Sequence, residues 1–396
     1  MLNTAIKACR ILRREGVSGA LRRVQHRTDG GLLRDPGTLP ERCFVLLGKG
    51  PLKPHFQAEL KRHKLISRAS GRLAAQKIIF NPLPFELDDT AIAAIVLSDD
   101  YLASIRPMDH EIVAGVASGC HLIVTSAWGL RQALALGAEL RNLTLVPLDA
   151  SRNALRLAIG RWLVYAGAMP PECHVRDLLD LAPPIRNHSR LCISLPEYLD
   201  RRSGFAQSDA GDFSIFDGIR LLPGWKGCAW SYKAIATKAL QSGARRLTIC
   251  EDDASFGQDF TAYFNALNHY LDRSDWDVFN GVMTRIQGQP EIVMQRKLGR
   301  NHIIHTSQMM GMVFNSYNRT ALEWMADWNP ENGGAETNTI DEWMNLMPGL
   351  RVISAVPFLA GHRDEAHSTI FGFKNTRYSG MIRATEREIM SMLDPS

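Results

Sequence analysis

The chain has few cysteines and no pattern among them. Cys9, Cys43, Cys120, Cys173, Cys192, Cys228 and Cys250 make seven in 396 residues, an odd number. None is spaced C-x-x-C, which argues against a disulfide framework and against a structural zinc site. Reduced thiols and a cytoplasmic setting are the expectation. No stretch approaches the roughly 18 consecutive apolar residues of a membrane-spanning helix. A secretory leader is not expected either, because basic residues interrupt the first stretch and leave it no apolar core. A large excess of one charge is also missing, the net charge being +5. That suits small anionic ligands and is no footprint of nucleic-acid binding.

What remains is ordinary globular composition, 45% hydrophobic and 22% charged, at a length that suggests two domains. The first segment, residues 1–27, is acid-poor. Lys7, Arg10, Arg13, Arg14, Arg22, Arg23 and Arg27 face the single acid Glu15, with aliphatic residues at near-helical spacing. Three readings stay open: an amphipathic helix on an anionic membrane surface, a helix docked on the protein itself, or a transit-like segment. The first makes the protein peripheral at the inner face of the cell membrane. Residues 28–42 read as a polar linker.

Residues 43–168 alternate short apolar strands with helical segments, the signature of βαβ units and a mostly parallel sheet. Strands are expected over Cys43–Leu47, Lys77–Phe80, Ala91–Leu97, His121–Thr125 and Leu143–Pro147, and helices over His110–Ser118 and Leu130–Leu136. Gly48-Lys49-Gly50 follows a strand but fits neither phosphate-loop pattern, so it reads as a turn. Ser98-Asp99-Asp100 reads as a solvated loop. Met169-Pro170-Pro171 and Ala182-Pro183-Pro184 bracket an expected interdomain linker over 169–189.

From Arg190 the pattern restarts. Leu191–Leu195 reads as a strand followed by Arg201-Arg202. Gly224 to Ser231 reads as a glycine-rich turn entering a helix, with Ser231 as its N-cap and Gly243 past its end. Leu247–Cys250 reads as a buried strand that delivers Glu251-Asp252-Asp253 at its carboxyl end. Alone, such a triplet is commonly a solvated turn. Beyond the end of a buried strand it also suits a divalent cation, which relieves the mutual repulsion of the carboxylates.

Four features in order make residues 190–372 resemble glycosyltransferase family 25, which includes lipopolysaccharide and collagen galactosyltransferases. They are Ile193-Ser194-Leu195 with Arg201-Arg202; Gly227-Cys228-Ala229-Trp230-Ser231; Ile249-Cys250-Glu251-Asp252-Asp253; and Val356-Pro357 leading to Ser368-Thr369-Ile370. Two positions depart from the family: Ser194 stands where Asn is usual, and Tyr232 where His is usual.

The resemblance implies an α/β fold overall. A GT-A-like nucleotide-sugar-binding domain over 190–396 would follow a smaller Rossmann-like α/β accessory domain. It implies a metal-assisted transferase, inverting, that moves a hexose from a nucleotide-sugar, UDP-linked foremost, to a saccharide or glycolipid acceptor of the lipopolysaccharide type. Ser194, Arg201, Gly227, Ser231, Tyr232 and Asp252 are implied donor contacts. Glu251, Asp253 and His362 are implied ligands of Mn2+ or Mg2+, with His367 the alternative histidine. Asp341 and Glu342 are candidates for the base that deprotonates the acceptor hydroxyl, or simply acids favoured at a helix N-terminus. Trp324 and Trp343 could face a sugar or pack in the core. Two other classes stay open, a binding protein that kept the fold without turnover and a metal-dependent phosphoryl-transfer or hydrolytic enzyme.

Overall fold

The computed structural model describes residues 44–66, 76–81, 92–105, 121–208, 212–286, 292, 294–298, 301–368 and 374–393. The basic segment 1–27, the linker 28–42, the helix expected over His110–Ser118, and Thr369-Ile370 lie outside them. The described residues divide into two compact units, 44–182 and 183–393.

In the first unit the aliphatic runs become β1 (Phe44–Gly48), β2 (Gln76–Phe80), β3 (Ile92–Leu97), β4 (His121–Val124) and β5 (Leu143–Leu145). Between and after them lie α1 (Lys53–Arg62), α2 (Asp99–Ser104), α3 (Ala127–Ala135), α4 (Arg152–Tyr165) and α5 (Pro171–Leu181). The strands form one parallel sheet in the order β1-β2-β3-β4-β5. Parallel pairing is what the alternation implies. Among the described strands the order does not reverse, unlike the Rossmann arrangement expected. Gly48 has φ +70°, and a Cβ there would lie 2.1 Å from the Phe80 carbonyl oxygen. Its glycine serves backbone approach.

Two expectations in this unit are overturned. Ser98-Asp99-Asp100 is a helix start: the Ser98 hydroxyl accepts from the Tyr101 N–H, and Asp99 accepts from Thr125 and Ser126 at 3.0 and 2.9 Å. The 169–189 segment contains helix α5, with Pro171 in its first turn. The prolines taken as stiffeners are the helix's start and stop signals. Its buried Asp177 accepts from Arg62 of α1 at 2.7 Å and from Arg156 of α4 at 3.2 Å, with His63 3.8 Å away.

The second unit carries β6 (Arg190–Ser194), α6 (Leu199–Ala206), β7 (Ser214–Asp217), α7 (Gly224–Gln241), β8 (Arg246–Glu251), β9 (Ala254–Phe256), α8 (Phe260–Leu271) and β10 (Val278–Asn280). It continues through β11 (Met294–Leu298), β12 (Asn301–Thr306), β13 (Phe314–Asn318), α9 (Arg319–Ala326), α10 (Ile340–Met344), β14 (Val352–Val356), β15 (Ala360–His362) and α11 (Thr376–Leu393). Eight strands form a mixed sheet in the order β11-β12-β14-β10-β13-β8-β6-β7, and β9 pairs with β15 apart from it. β7, β6 and β8 run parallel, and β13 is inserted antiparallel between β8 and β10. Asp277 accepts the Arg351 backbone N–H and two guanidinium bonds, which ties the start of β10 to β14. That agrees with a structural reading of Asp275-Trp276-Asp277.

The core of this unit is aromatic where it supports β9. Phe256 lies 4.3 Å from Phe260 and meets Phe314 edge-on at 5.4 Å, centroid to centroid. Phe260 stacks on Phe264 at 5.4 Å. The rings anchor β9 and β15, and with them the turn that joins β8 to β9.

Helix α7 begins at Gly224, seven residues before the expected N-cap at Ser231. Its glycines mark close packing: a Cβ on Gly227 would sit 2.5 Å from the Ile219 carbonyl oxygen. Alanines at 229, 234, 236 and 239 supply the propensity that carries the helix through. Gly243, at φ +74°, follows the helix end as expected.

Candidate functional site

β6 is flanked by β7 on one side and β8 on the other. The chain leaves β6 for β7 through α6, then returns through α7 to β8 on the opposite side. Such a reversal opens a crevice at the carboxyl ends of the strands, the usual ligand site of an open α/β sheet. Ser194 ends β6, Asp217 ends β7 and Glu251 ends β8, with Asp252-Asp253 in the turn beyond.

These ends are tied to one another. The Ser194 hydroxyl donates to Asp252 Oδ2 at 2.5 Å. Arg202 Nη2 donates to the Ser194 carbonyl at 2.9 Å and pairs with Asp217. Arg201 Nη2 pairs with Asp252 Oδ1 and lies 3.0 Å from Asp253 Oδ2. Asn375 Nδ2 donates to the same Asp253 oxygen at 2.9 Å. His362 Nδ1 stands 3.6 Å from it, too far for a full hydrogen bond but close enough to act through charge. The Arg363 N–H donates to the Asp253 carbonyl at 2.8 Å.

Burial makes the three acids unequal. Glu251 is pushed up to about 8 by burial and by the nearby Asp253 charge, against the pull of Arg201. Asp252 is also raised by burial, with Arg201 opposing. Burial would raise Asp253 too, but His362, Arg201 and Asn375 outweigh it and hold that carboxyl well below its usual range. The half-buried Cys228, its thiol 3.8 Å from Glu251 Oε1, is pushed up by desolvation and by that neighbour.

Of the expected donor contacts, Ser194, Arg201 and Asp252 meet at this crevice. Gly227 and Ser231 do a different job. The Ser231 hydroxyl donates to the Gly227 carbonyl at 2.7 Å and accepts the Ile219 N–H at 2.8 Å, clasping the segment after β7 onto α7. Tyr232 is a core residue. It is fully buried, and its hydroxyl donates to the Met312 carbonyl at 2.7 Å. Its departure from the family residue therefore falls on packing.

His362 is buried on β15 and stacks on Tyr378 at 4.5 Å. His367 is exposed, and its carbonyl accepts from Arg201 at 3.4 Å. Asp341 lies in the first turn of α10, where its charge acts on Glu251, Cys228 and Tyr317. Glu342 turns to Arg285 at 2.9 Å. Trp324 and Trp343 stack on each other at 4.9 Å, and each indole N–H donates to the other's carbonyl. Both half-buried, they close α9 onto α10. Asn375 was missed altogether, since an asparagine 122 positions after its partner carries no local signal.

The expected Glu251, Asp253 and His362 metal centre is not assembled. Among the described residues, only Glu59, His63 and Asp177 of the first unit bring three ligand atoms all within 4.8 Å of one another. Two guanidiniums, Arg62 and Arg156, already neutralise that trio's carboxylates. In the crevice the guanidinium of Arg201 sits on both Asp252 and Asp253, in the position of their counter-cation. As arranged here, Glu251, Asp253 and His362 do not form a closed ligand set for Mn2+ or Mg2+.

No protein-family model and no curated protein matches the chain. Its backbone is similar to the crystal structure of A197 from STIV, at 12% identity and a TM-score of 0.29, over 44% of this chain and 85% of that one. A likeness at that level carries no argument about function. What is shown is an α/β protein with a parallel sheet in one unit and a mixed sheet in the other. Among the described residues no helix is long and apolar enough to cross a membrane.

Proposed function

We propose that residues 183–393 bind a nucleotide-sugar at the carboxyl ends of β6 and β8 and transfer its sugar to a saccharide or glycolipid hydroxyl, in the manner of glycosyltransferase family 25. The GT-A-like assignment belongs to this proposal. The observation that carries it is the junction of Ser194, Asp252, Asp253 and Arg201 at the point where strand order reverses. Buried polar atoms at that junction still lack partners among the described residues. Asp253 Oδ1 and Asn375 Oδ1 are acceptors, and Arg201 Nε is a donor. Buried groups of this kind call for a ligand. Sugar hydroxyls suit the acceptors, and phosphate oxygens suit the guanidinium.

The sequence resemblance supports the same chemistry. Asp341 is then the base that takes the acceptor proton, and the ionised Asp253 orients the sugar. The basic segment 1–27 would hold the protein at an anionic membrane face near a lipid-linked acceptor.

The test is to incubate the purified protein with UDP-, GDP-, CMP- and dTDP-sugars, with and without Mn2+, following binding and nucleotide release. Binding of one donor class is the expected result. Absence of binding to every donor would refute the reading.

A further inference from the structure

The second unit places two arginines next to Asp253, Arg201 by its guanidinium and Arg363 by its backbone N–H. Arg201 projects from α6 onto Asp252 and Asp253, its side chain 12% exposed. Arg363 follows β15, its side chain 13% exposed. It lies along the same helix, where a Cβ on Gly204 would fall 2.3 Å from its Nη1. Its backbone N–H holds the Asp253 carbonyl. In both side chains the Nε atom is buried without a hydrogen bond among the described residues, and Arg363 Nε has the Glu365 carboxylate 3.5 Å away as an ion-pair partner.

We propose that Arg201 and Arg363 form a phosphate clamp that supplies the counter-charge to the donor's diphosphate, so that donor binding needs no divalent metal ion. The inference rests on the nucleotide-sugar reading above and says which groups meet the diphosphate. Three observations carry it. First, Arg201 engages one oxygen of each of Asp252 and Asp253, where a bridging metal would sit, and Ser194 holds the second oxygen of Asp252, which leaves Asp253 Oδ1 open. Second, Arg363 reaches α6 at Gly204, three residues after Arg201, so both arginines lie along one helix. Third, the open valences on the arginines are donors, and the complement of a planar, fork-shaped donor is a phosphate oxygen. Asp252 and Asp253 then orient the clamp and accept sugar hydroxyls.

The experiment is calorimetric titration of the full chain with UDP, GDP, CDP and dTDP, each in EDTA and in Mn2+, alongside Mn2+ alone. The expected result is that one nucleoside diphosphate binds in EDTA with an affinity within about twofold of that in Mn2+, and that Mn2+ alone gives no binding heat. Arg201→Gln and Arg363→Gln should each weaken that nucleotide by about tenfold or more, since each loses charge-assisted hydrogen bonds. Arg201→Lys, which keeps the charge and loses the fork, should fall between. Arg201→Gln should also let Mn2+ bind, because it leaves Asp252 and Asp253 without their counter-cation.

Nucleotide binding that appears only with Mn2+ would overturn the clamp and leave the donor reading standing. Failure of every nucleoside diphosphate to bind in both buffers would overturn the donor reading, and the clamp with it. Should a glutamine variant fail to give a native near-ultraviolet spectrum, the comparison of EDTA with Mn2+ on the wild-type chain still decides.

Discussion

The Ser194 hydroxyl donates to Asp252 Oδ2 across the carboxyl ends of two neighbouring parallel strands, β6 and β8. Both residues are buried, so the bond closes the floor of the crevice where water cannot replace it. Ser194→Ala leaves the Asp252 carboxylate one donor short. Leaving a buried acceptor unsatisfied costs about 1–3 kcal/mol, more when it is charged. The variant should unfold at lower urea with an unchanged slope. Its affinity for nucleoside diphosphates should fall as well, because Arg201 is aligned on the same carboxylate. An unchanged urea midpoint would contradict the burial argument.

Glu251 gives a pH signature. Its folded value of about 8 lies above the ordinary 4.5, raised by burial and by Asp253. Between those values the folded chain binds more protons than the unfolded one, so this group's contribution is present at low pH and lost as pH rises. Glu251→Gln cannot ionise and keeps the shape. The difference in melting temperature between variant and wild type should be small near pH 5 and grow in the variant's favour toward pH 9. Parallel melting curves across that range would show that Glu251 titrates normally.

Much of this layout was readable in the sequence, for local reasons. Strands such as Ile92–Leu97 and Arg246–Glu251 are short aliphatic runs bounded by turn residues, and the acids announce the end of β8. The misreadings share a cause. Gly224, Gly227 and Pro171 were taken for chain breakers, whereas their roles are tertiary: Gly227 lets α7 touch the Ile219 carbonyl, and Pro171 starts α5. Arg363 and Asn375 were hidden for another reason: they lie far along the chain from Asp253 and only the fold makes them its neighbours, whereas Arg201 and His362 were named through the resemblance. Tyr232 was placed at the site by the resemblance, but the helix phase turns it inward.

In the first unit, Asp177 joins α1, α4 and α5 through Arg62 and Arg156. Burial and the Arg62 charge lower His63, so its folded form resists protonation. Burial would raise Asp177, but the Arg62 hydrogen bond and charge outweigh it and lower that carboxyl. Both depressed groups act with the same sign: stability is present above their unfolded values, 6.5 and 3.8, and lost as pH falls. His63→Gln should flatten the loss below pH 6.5 and leave the steeper acid loss below about pH 4 that Asp177 causes. Calorimetric melting across pH reads both windows. A wild-type slope in His63→Gln would remove His63 from the account.

The stacked pair Trp324 and Trp343 separates core from sugar platform. Each ring has spent its N–H on the partner's backbone. Trp343→Phe keeps an aromatic face and loses one such bond, about 0.5–1.5 kcal/mol. Thermal stability should drop accordingly, with donor and acceptor affinities unchanged. A selective loss of saccharide affinity at unchanged stability would restore the sugar-facing role.

Asp341 and Glu342 are adjacent in sequence and differ in what they face. Glu342 is paired with Arg285, so its carboxylate is already engaged. Asp341 directs its charge toward Glu251, Cys228 and Tyr317, on the side of the crevice acids. Under the proposed transfer a base must sit where the acceptor hydroxyl approaches the donor sugar, and that proposal gives the role to Asp341. Asp341→Asn keeps the shape and removes the proton acceptor. It should lower kcat by about 10²–10⁴, the usual worth of a positioned base, while the Kd for the nucleoside diphosphate stays at the wild-type value. Glu342→Gln should lose less than about tenfold, the effect of loosening an ion pair near the surface. The two variants are compared by steady-state transfer assay and by calorimetry on the same preparations. A large kcat loss in Glu342→Gln with little in Asp341→Asn would reverse the assignment. Equal loss of nucleotide affinity in both would mean that α10 shapes the donor site and supplies no base.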